Sequence, residues 1–333
     1  MSKTTRGLIF GILASLAFGT SGAFIKPLLE SGWSPAAAVT VRAGVAGLVL
    51  LPFALASLKG KWHTLVTARW RLLGMATVGV AGTQLVYFAA VQRVPVSTAL
   101  LIEYLAPLLL VIVVWVQTRR PPRAAVIIGS VVAIGGLVLV IGPGSIVATD
   151  GLGILFAALA AIGCAGYYVI AARPSQGLPP VAFAAAGLLG GSAMLGIVGV
   201  TGLVPFTAAF AAVPFAGGTA PWWLPLGIVA VVGTAFAYVA SIAASEMLGS
   251  RLMSFVGLLE VVFASVFAWI TLGEALTLTQ LVGGALILAG IAFVHSEKEA
   301  RAGLEAVPPV FEQPGDAAYA AGSAQIPIVK EAV

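Results

Sequence analysis

Ten apolar runs, each about the length that an α-helix needs to cross a lipid bilayer, constrain this chain most strongly. The hydrocarbon core of a bilayer is about 30 Å thick and a helix rises about 1.5 Å per residue, so roughly 20 residues suffice. Backbone that crosses lipid must satisfy its own hydrogen bonds, which an isolated run does only as a helix. The runs are residues 7–25, 35–56, 72–91, 96–116, 124–141, 151–172, 181–203, 222–244, 252–271 and 276–294. We therefore predict an all-α membrane protein with ten transmembrane helices.

The composition is that of a protein whose solvent is largely lipid. Hydrophobic residues make up 60% of the chain and charged residues 9%, whereas a soluble domain is about half apolar and a quarter charged. The chain has one cysteine and two histidines, so we expect no intramolecular disulfide, no metal site and no cofactor. The net charge of +5 is typical of basic cytoplasmic loops and does not require a nucleic-acid partner.

Lysine and arginine are distributed unevenly between the two sides that ten spans define. With the N-terminus inside, 14 of the 17 basic residues fall on the inside, Lys26 and Arg93 fall outside, and Arg42 falls within a span. Cytoplasmic loops of membrane proteins carry an excess of this kind. We predict that both termini are cytoplasmic and that the first run is a retained helix, not a cleaved signal peptide.

The second half of the chain repeats the first at low identity. Residues 90–136 align without a gap onto residues 244–290. The matched residues are Trp115 with Trp269, Gly129 with Gly283, Gly136 with Gly290 and, at an offset of 151, Gly82-Thr83 and Tyr87 with Gly233-Thr234 and Tyr238. Because five spans per half is an odd number, the second half must cross the membrane upside down relative to the first. Inverted repeats of this kind allow one fold to open to either side in turn.

The spans and the repeat divide the chain into five segments. We predict a cytoplasmic N-terminus over residues 1–6, a first repeat of five helices over 7–141, an external linker over 142–150, a second repeat over 151–294 and a tail over 295–333. The tail is acidic and interrupted by prolines. A segment with so little apolar surface to bury is typically disordered, so we predict a disordered cytoplasmic tail.

Several stretches resemble the EamA-type transporters of the drug/metabolite transporter superfamily. The matching stretches are residues 18–26 with Pro35 and Arg42, residues 151–173, and Leu259-Glu260-Val261 with Leu272-Gly273-Glu274. In the family the last of these reads Glu-Pro followed by Leu-Gly-Glu, so Val261 is a departure; Arg119-Arg120, where the first half would carry Gly-Glu, is another. The resemblance covers residues 7–294 and implies ten helices in two inverted EamA repeats and export of metabolites or amino acids.

Arg42, Glu103 and Glu260 are the charged residues deep in the predicted spans. A charge at the bilayer centre costs at least about 2.5–3.5 kcal/mol by insertion scales, so each must face protein or water. Arg42 and Glu103 are each about 10 Å from the outer start of their spans, and they could pair. Glu260 has no basic partner at matching depth and is therefore the better candidate for a carboxylate that exchanges a proton. A structural ion pair or helix packing is the alternative for all three residues.

A second set of residues could line a cavity around these charges. The set is Gln84, Tyr87, Tyr104, Tyr167, Tyr168 and Tyr238. Aromatic rings with a polar tip suit amphipathic solutes, although packing is the alternative for each residue. The stretch Gly19-Thr20-Ser21-Gly22 would either unwind its helix near the site or let another helix pack closely.

Motifs of soluble enzyme chemistry are missing from the sequence. We find no metalloprotease, serine-hydrolase, phosphate-loop or dinucleotide motif, and without a phosphate loop direct ATP coupling is disfavoured. We predict a secondary-active exporter of small metabolites or amino acids that works by alternating access, with proton coupling as a hypothesis. The expected partners are a small-molecule substrate and the bilayer, and a homodimer stays open. A membrane-embedded enzyme and a non-transporting scaffold or sensor are the alternatives.

Overall fold

The computed structural model describes residues 1–94, 96–119, 121–142, 150–175, 177–215, 217–272 and 277–305. Ten helices among these residues are long and apolar enough to cross a membrane, which confirms the predicted fold class. Spans 1 to 10 are, in order, Lys3–Glu30, Pro35–Ser57, Arg69–Val91, Thr98–Thr118, Ala124–Ile141, Gly151–Ala172, Pro180–Val200, Trp223–Leu248, Ser250–Thr271 and Leu278–Ser296. The end of the bundle at which span 1 begins and span 10 ends is called the terminal end, and the opposite end is called the distal end.

Four spans are interrupted, and they occupy equivalent places in the two halves. Spans 3 and 8 change to π-helix in mid-span, at Met75–Gly82 and Val231–Phe236. Spans 4 and 9 are each broken into two shorter helices. The pieces of span 4 are Val96–Glu103 and Ala106–Thr118, and those of span 9 are Ser250–Gly257 and Leu259–Leu272. A helix interrupted at membrane depth must have its free backbone groups covered by protein or water, so these four spans mark the interior of the bundle.

A threonine accompanies each π-helix. The hydroxyls of Thr83 and Thr234 donate to the carbonyl oxygens five residues earlier, those of Val78 and Val229, at 2.6 and 2.9 Å. A π-helix carries one extra residue per turn, and a hydroxyl bound to a carbonyl in the spine stabilises the local widening. The Gly-Thr pairs that the two halves share thus lie within or directly next to the π-helical segments of spans 3 and 8.

Spans 5 and 10 pack directly through the glycines that the repeat matches. A methyl group added at Gly136 would lie 2.5 Å from the Gly283 carbonyl oxygen, and one added at Gly129 would lie 2.8 Å from that of Gly290. The pairing is reciprocal, because repeat symmetry exchanges Gly129 with Gly283 and Gly136 with Gly290. We call this contact the glycine seam. Only an antiparallel crossing of equivalent helices produces such a pairing, so the two five-helix repeats are inverted.

Side-chain hydrogen bonds to backbone amides cap the start of several helices. The hydroxyl oxygens of Ser2 and Ser34 accept hydrogen bonds from the backbone amides of Thr5 and Ala37, and serine is a favoured N-cap. Asp150 caps span 6 by accepting the Leu152 amide at 2.8 Å. The Arg93 guanidinium, 3.0 Å away at the exposed distal end, helps to hold the pKa of the Asp150 carboxyl below its usual value.

Smaller elements complete the described chain. A short helix, His63–Thr67, joins spans 2 and 3, and a two-stranded antiparallel hairpin, Val213–Phe215 with Gly218–Ala220, precedes span 8. Arg119 ends span 4 with a left-handed backbone, at φ 52°. Glycine adopts this conformation without strain, which gives a physical reason for the glycine that the resemblance expected there; its neighbour Arg120 lies outside the described residues.

The last helix is longer than the sequence suggested. It runs over Leu278–Glu305, so residues 295–305, placed in the disordered tail, are helical. The stretch is rich in Glu, Lys, Arg and Ala, which have high helix propensity and extend the span into water. Residues 306–333 of the tail, residues 143–149 of the linker and Gly273-Glu274 of the family-like motif lie outside the described residues.

Candidate functional site

All nine residues proposed for the site line two adjoining cavities in the middle of the bundle. The larger cavity has a volume of about 440 Å³ and the smaller about 140 Å³. Of the nine, those that line both cavities are Arg42, Gln84, Glu103, Tyr104 and Glu260. Tyr87 lines only the larger cavity, and Tyr167, Tyr168 and Tyr238 line only the smaller. Side chains that are costly to expose to lipid therefore converge on one interior space.

The two carboxylates lie at the breaks of spans 4 and 9. Glu103 is the last residue of the first half of span 4, and Glu260 is the second residue of the second half of span 9. Each break is one tight turn, in which the amide of Leu105 or Leu258 donates to the carbonyl three residues earlier, at 3.1 Å in both cases. A helix start carries partial positive charge and a helix end partial negative charge. Glu260 therefore meets a favourable dipole end and Glu103 an unfavourable one.

Arg42 is the fixed cation of the site, and its orientation corrects one expectation. The suggested pair with Glu103 does not form; the charge interactions of Arg42 are with Glu260 and Tyr238. Glu260 interacts in addition with the Tyr104 side chain. The suggested Arg42–Glu103 ion pair is therefore absent, and which of the two carboxylates exchanges a proton stays a prediction.

Among the described side chains, neither Glu103 nor Glu260 forms an ion pair of 4 Å or less with Arg42. The titratable groups that act on Glu103 or on which it acts are Glu260, Tyr87, Tyr104, Cys164, Tyr168 and Tyr238. Lys26 and Arg42 line the same cavity as Glu103, and a proton or a positively charged group of a substrate that enters this cavity would compensate a negative charge on Glu103.

Tyrosines close the smaller cavity toward the terminal end. The rings of Tyr167 and Tyr168 are 5.1 Å apart and those of Tyr167 and Tyr238 5.6 Å apart, both edge to face. The Tyr167 hydroxyl shares a hydrogen bond of 2.9 Å with Ser241. Phe18 packs on Tyr238 at 5.4 Å. We call these contacting rings of Tyr167, Tyr168, Tyr238 and Phe18 the tyrosine floor, because they lie on the terminal side of the charged groups.

The larger cavity extends toward the distal end. Its outer lining comes from the last turns of span 1, the first residue of span 2 and the last residue of span 5, namely Lys26, Leu29, Pro35 and Ile141. The described structure thus has a site that is open toward one end of the bundle and closed by aromatic rings toward the other. An asymmetry of this kind is one of the two states that alternating access requires.

Span 1 passes the site as an unbroken helix, so the Gly-Thr-Ser-Gly stretch does not unwind. Gly19 instead allows close approach to span 9, where an added methyl group would lie 2.7 Å from Phe263 Cβ. Phe18, Ser21 and Cys164, which sequence reasoning did not assign to the site, line the smaller cavity. Phe18 and Cys164 are apolar or nearly so, and in the sequence they look like any lipid-facing residue. Only knowledge of which face of each helix points to the cavity could have identified them.

Comparison with known proteins agrees with this architecture. The model of the EamA-like transporter family matches residues 5–142 and again residues 151–296. The chain belongs to this family. Its two matched regions correspond to two five-helix repeats, and the protein is a multi-pass membrane protein of a transporter family.

Related proteins are named as transporters. An uncharacterized transporter of Archaeoglobus fulgidus is 27% identical over 288 residues, which cover 86% of this chain and 95% of the relative. The uncharacterized inner membrane transporter YicL of Salmonella typhimurium is 22% identical over 91% of this chain and 99% of the relative. A crystal structure of a protein with 19% identity superposes with a TM-score of 0.73, covering 88% of this chain and 98% of the other; it shows a shared fold.

Proposed function

We propose that this EamA-family protein is a secondary-active exporter of small metabolites, amino acids among them, that works by alternating access and exchanges its substrate for protons. The observation that carries the proposal is the central cavity of about 440 Å³ at which two broken helices, a buried arginine and two carboxylates meet. Transporter sites are typically built from discontinuous helices near the bilayer midplane.

The cavity wall suits a small amphipathic solute. Most of the lining is apolar or aromatic, with Lys26, Arg42, Glu103 and Glu260 as the charged exceptions. The guanidinium of Arg42 can hold a carboxylate with two parallel hydrogen bonds, and Glu103 can accept a positively charged group. A metabolite with both kinds of group, such as an amino acid, would satisfy the two ends of the site together.

Proton exchange is assigned to Glu103 in this proposal. Glu260 lies at the start of a half-helix and interacts electrostatically with Arg42, whereas Glu103 lies at the end of a half-helix. A proton that enters from the distal end would neutralise Glu103 and displace the positively charged group of the substrate. Competition between proton and substrate for one carboxylate is sufficient to couple the two flows.

The orientation completes the proposal. We place the terminal end in the cytoplasm, because 14 of the 17 basic residues lie on that side and basic loops are retained inside. The host membrane would be a bacterial-type inner membrane. A cysteine at position 61 in a Cys164→Ala background should then react with an impermeant thiol reagent only after the cells are opened. Labelling of intact cells would reverse the orientation.

Transport is tested with purified protein in vesicles. We would load proteoliposomes with a panel of radiolabelled amino acids and small organic amines and acids, impose a pH difference, and measure net movement. Movement that depends on the protein and on the pH difference is expected. Chemical conversion of a solute without movement would indicate a membrane-embedded enzyme, and movement that ignores the pH difference would remove proton coupling from the proposal.

A further inference from the structure

A buried ion pair lies at the terminal end of the bundle, on the side to which the site is closed. Arg71, in the first turn of span 3, donates to Glu246, in the last turn of span 8, with 2.9 Å between Nη2 and Oε1. The side chains are 8% and 21% exposed. Sequence reasoning counted Arg71 only as one more basic residue of a cytoplasmic loop. The structure instead makes it a bond between the first repeat and the second.

Arg71 also contacts two further spans of the second repeat, spans 6 and 7. Its Nε and Nη2 donate to the carbonyl oxygens of Ile170 and Ala171, at 3.0 Å each. These carbonyls belong to the last turn of span 6 and have no amide partner within the helix. The guanidinium also lies 4.2 Å from the ring centroid of Phe183 in span 7, within range of a cation–π interaction. We call Arg71, Glu246 and these three contacts the terminal latch.

The terminal latch separates two spaces. On its outer side a cavity of about 440 Å³ is lined by Lys3, Ala172, Pro180 and Glu246, among others. On its inner side are the tyrosine floor and the cavities that contain Arg42, Glu103 and Glu260. Span 3 carries Gln84 and Tyr87 beyond its π-helix, and span 8 carries Tyr238 beyond its own. The terminal latch therefore joins spans 3 and 8, two of the four interrupted spans, at the terminal end.

The distal end has no equivalent ion pair at the matching place. At the offset of 151 that relates spans 3 and 8, the counterpart of Arg71 is Trp222. Trp222 packs on Trp33 and Phe210, with ring centroids 5.6 and 5.2 Å apart. The repeat thus carries a polar contact at one end and an aromatic contact at the other.

We propose that the terminal latch is the gate that shuts the substrate site from the terminal end, and that it breaks in every transport cycle. The proposal rests on the alternating-access function. A largely buried ion pair suits a gate because both charges recover their hydration when water enters, which offsets the attraction that is lost. The terminal latch specifies one closed geometry through four directed contacts of Arg71, yet it does not make opening prohibitively costly.

Cys164 provides a reporter, because it is the only cysteine of the chain and lines the smaller cavity behind the latch. We would measure its reaction with an impermeant thiol reagent in cells and in inside-out vesicles, which needs no knowledge of the substrate. Arg71→Gln and Glu246→Gln should each raise the rate from the terminal side at least about fivefold, the lower range of a typical conformational coupling. The rate from the distal side should stay constant or fall.

A matched control is present at the distal end of span 3, where an ion pair joins it to span 6. Arg93 and Asp150 form an exposed ion pair of 3.0 Å between the end of span 3 and the start of span 6. Arg93→Gln should leave labelling from both sides unchanged. If Arg71→Gln and Glu246→Gln also leave terminal-side labelling unchanged, the latch is not a gate. An equal rise from both sides would indicate general loosening and would likewise overturn the proposal.

A cross-link separates gating from transport itself. In a Cys164→Ala background, Arg71→Cys with Glu246→Cys would be joined by a short bifunctional thiol reagent with a cleavable centre. Movement of the solute identified in the vesicle assay should stop on cross-linking and return on cleavage. Full transport while cross-linked would show that the two residues stay together throughout the cycle and would refute the gate. Absence of transport in the unmodified protein would refute the proposed function. The labelling of Cys164 would still test whether the terminal latch controls access to the site.

Discussion

The two broken helices, spans 4 and 9, are equivalent in backbone and different in chemistry. Both break at matching turns, but Glu103 ends its first half-helix and Glu260 begins its second. One carboxylate therefore lies at the negative end of a helix, while the other lies at a positive end and interacts electrostatically with Arg42. Repeat symmetry builds the scaffold of the site, and departure from symmetry by one helical turn gives its two carboxylates different tasks.

The largest expected effect separates these two tasks. Glu103→Gln mimics the protonated side chain, so it should abolish accumulation driven by a pH difference while sparing substrate exchange between compartments at equal pH. Glu260→Gln should retain pH-driven accumulation but bind substrate more weakly, because Arg42 loses its counter-charge. Both are measured in proteoliposomes with the same solute. If the two phenotypes are exchanged, the proton belongs to Glu260 and the comparison must be reversed.

The second-largest effect is expected at Arg42, and it should come from the geometry of the guanidinium more than from its charge. Lysine keeps the positive charge but loses the planar fork that holds a carboxylate with two hydrogen bonds. Arg42→Lys should therefore raise the KM for a carboxylate-bearing solute about tenfold, equivalent to about 1.4 kcal/mol, with normal insertion and melting. Wild-type kinetics in this variant would leave Arg42 with only the structural task of neutralising Glu260.

The glycine seam is the region where the two repeats should behave alike. Gly129→Ala and Gly283→Ala, which the repeat relates, each push a methyl group against a backbone carbonyl, which overpacking data suggest costs about 1–3 kcal/mol. Both should lower the melting temperature in detergent by similar amounts. Gly135→Ala is the control, because nothing lies within 4 Å of its added methyl group. Unequal losses at positions 129 and 283 would show that the seam is less symmetric than its contacts.

The smallest effect is expected at the break of span 9. Val261 stands where the first half has Pro107 and where the family resemblance expects proline. Its amide makes one bond in the first turn, to the Leu258 carbonyl at 3.2 Å, and proline is tolerated at helix starts. Val261→Pro should cost about 1 kcal/mol of stability or less and keep transport. Loss of folding would mean that the two breaks need different first turns.

Hydropathy was sufficient to predict the ten spans, because lipid permits few alternatives to a helix of bilayer length. The nine residues proposed from the sequence all line the central cavities, since polar groups in such helices must face the interior. The suggested Arg42–Glu103 pair is absent because sequence depth carries no information on the direction in which a helix face points. Arg71 was missed for a related reason: a basic residue at the edge of a span looks the same in the sequence whether it meets water or a partly buried glutamate.

The reciprocal contact of the glycine seam has a consequence for proteins built from one repeat. Each half contributes the same pair of glycines, and each glycine of one half meets the counterpart of the other glycine of its pair. A contact in which one patch meets a second copy of itself is isologous, as in dimers with two-fold symmetry. A free five-helix chain with these glycines would therefore contain a surface that complements itself, and it would assemble as an antiparallel homodimer across the same seam.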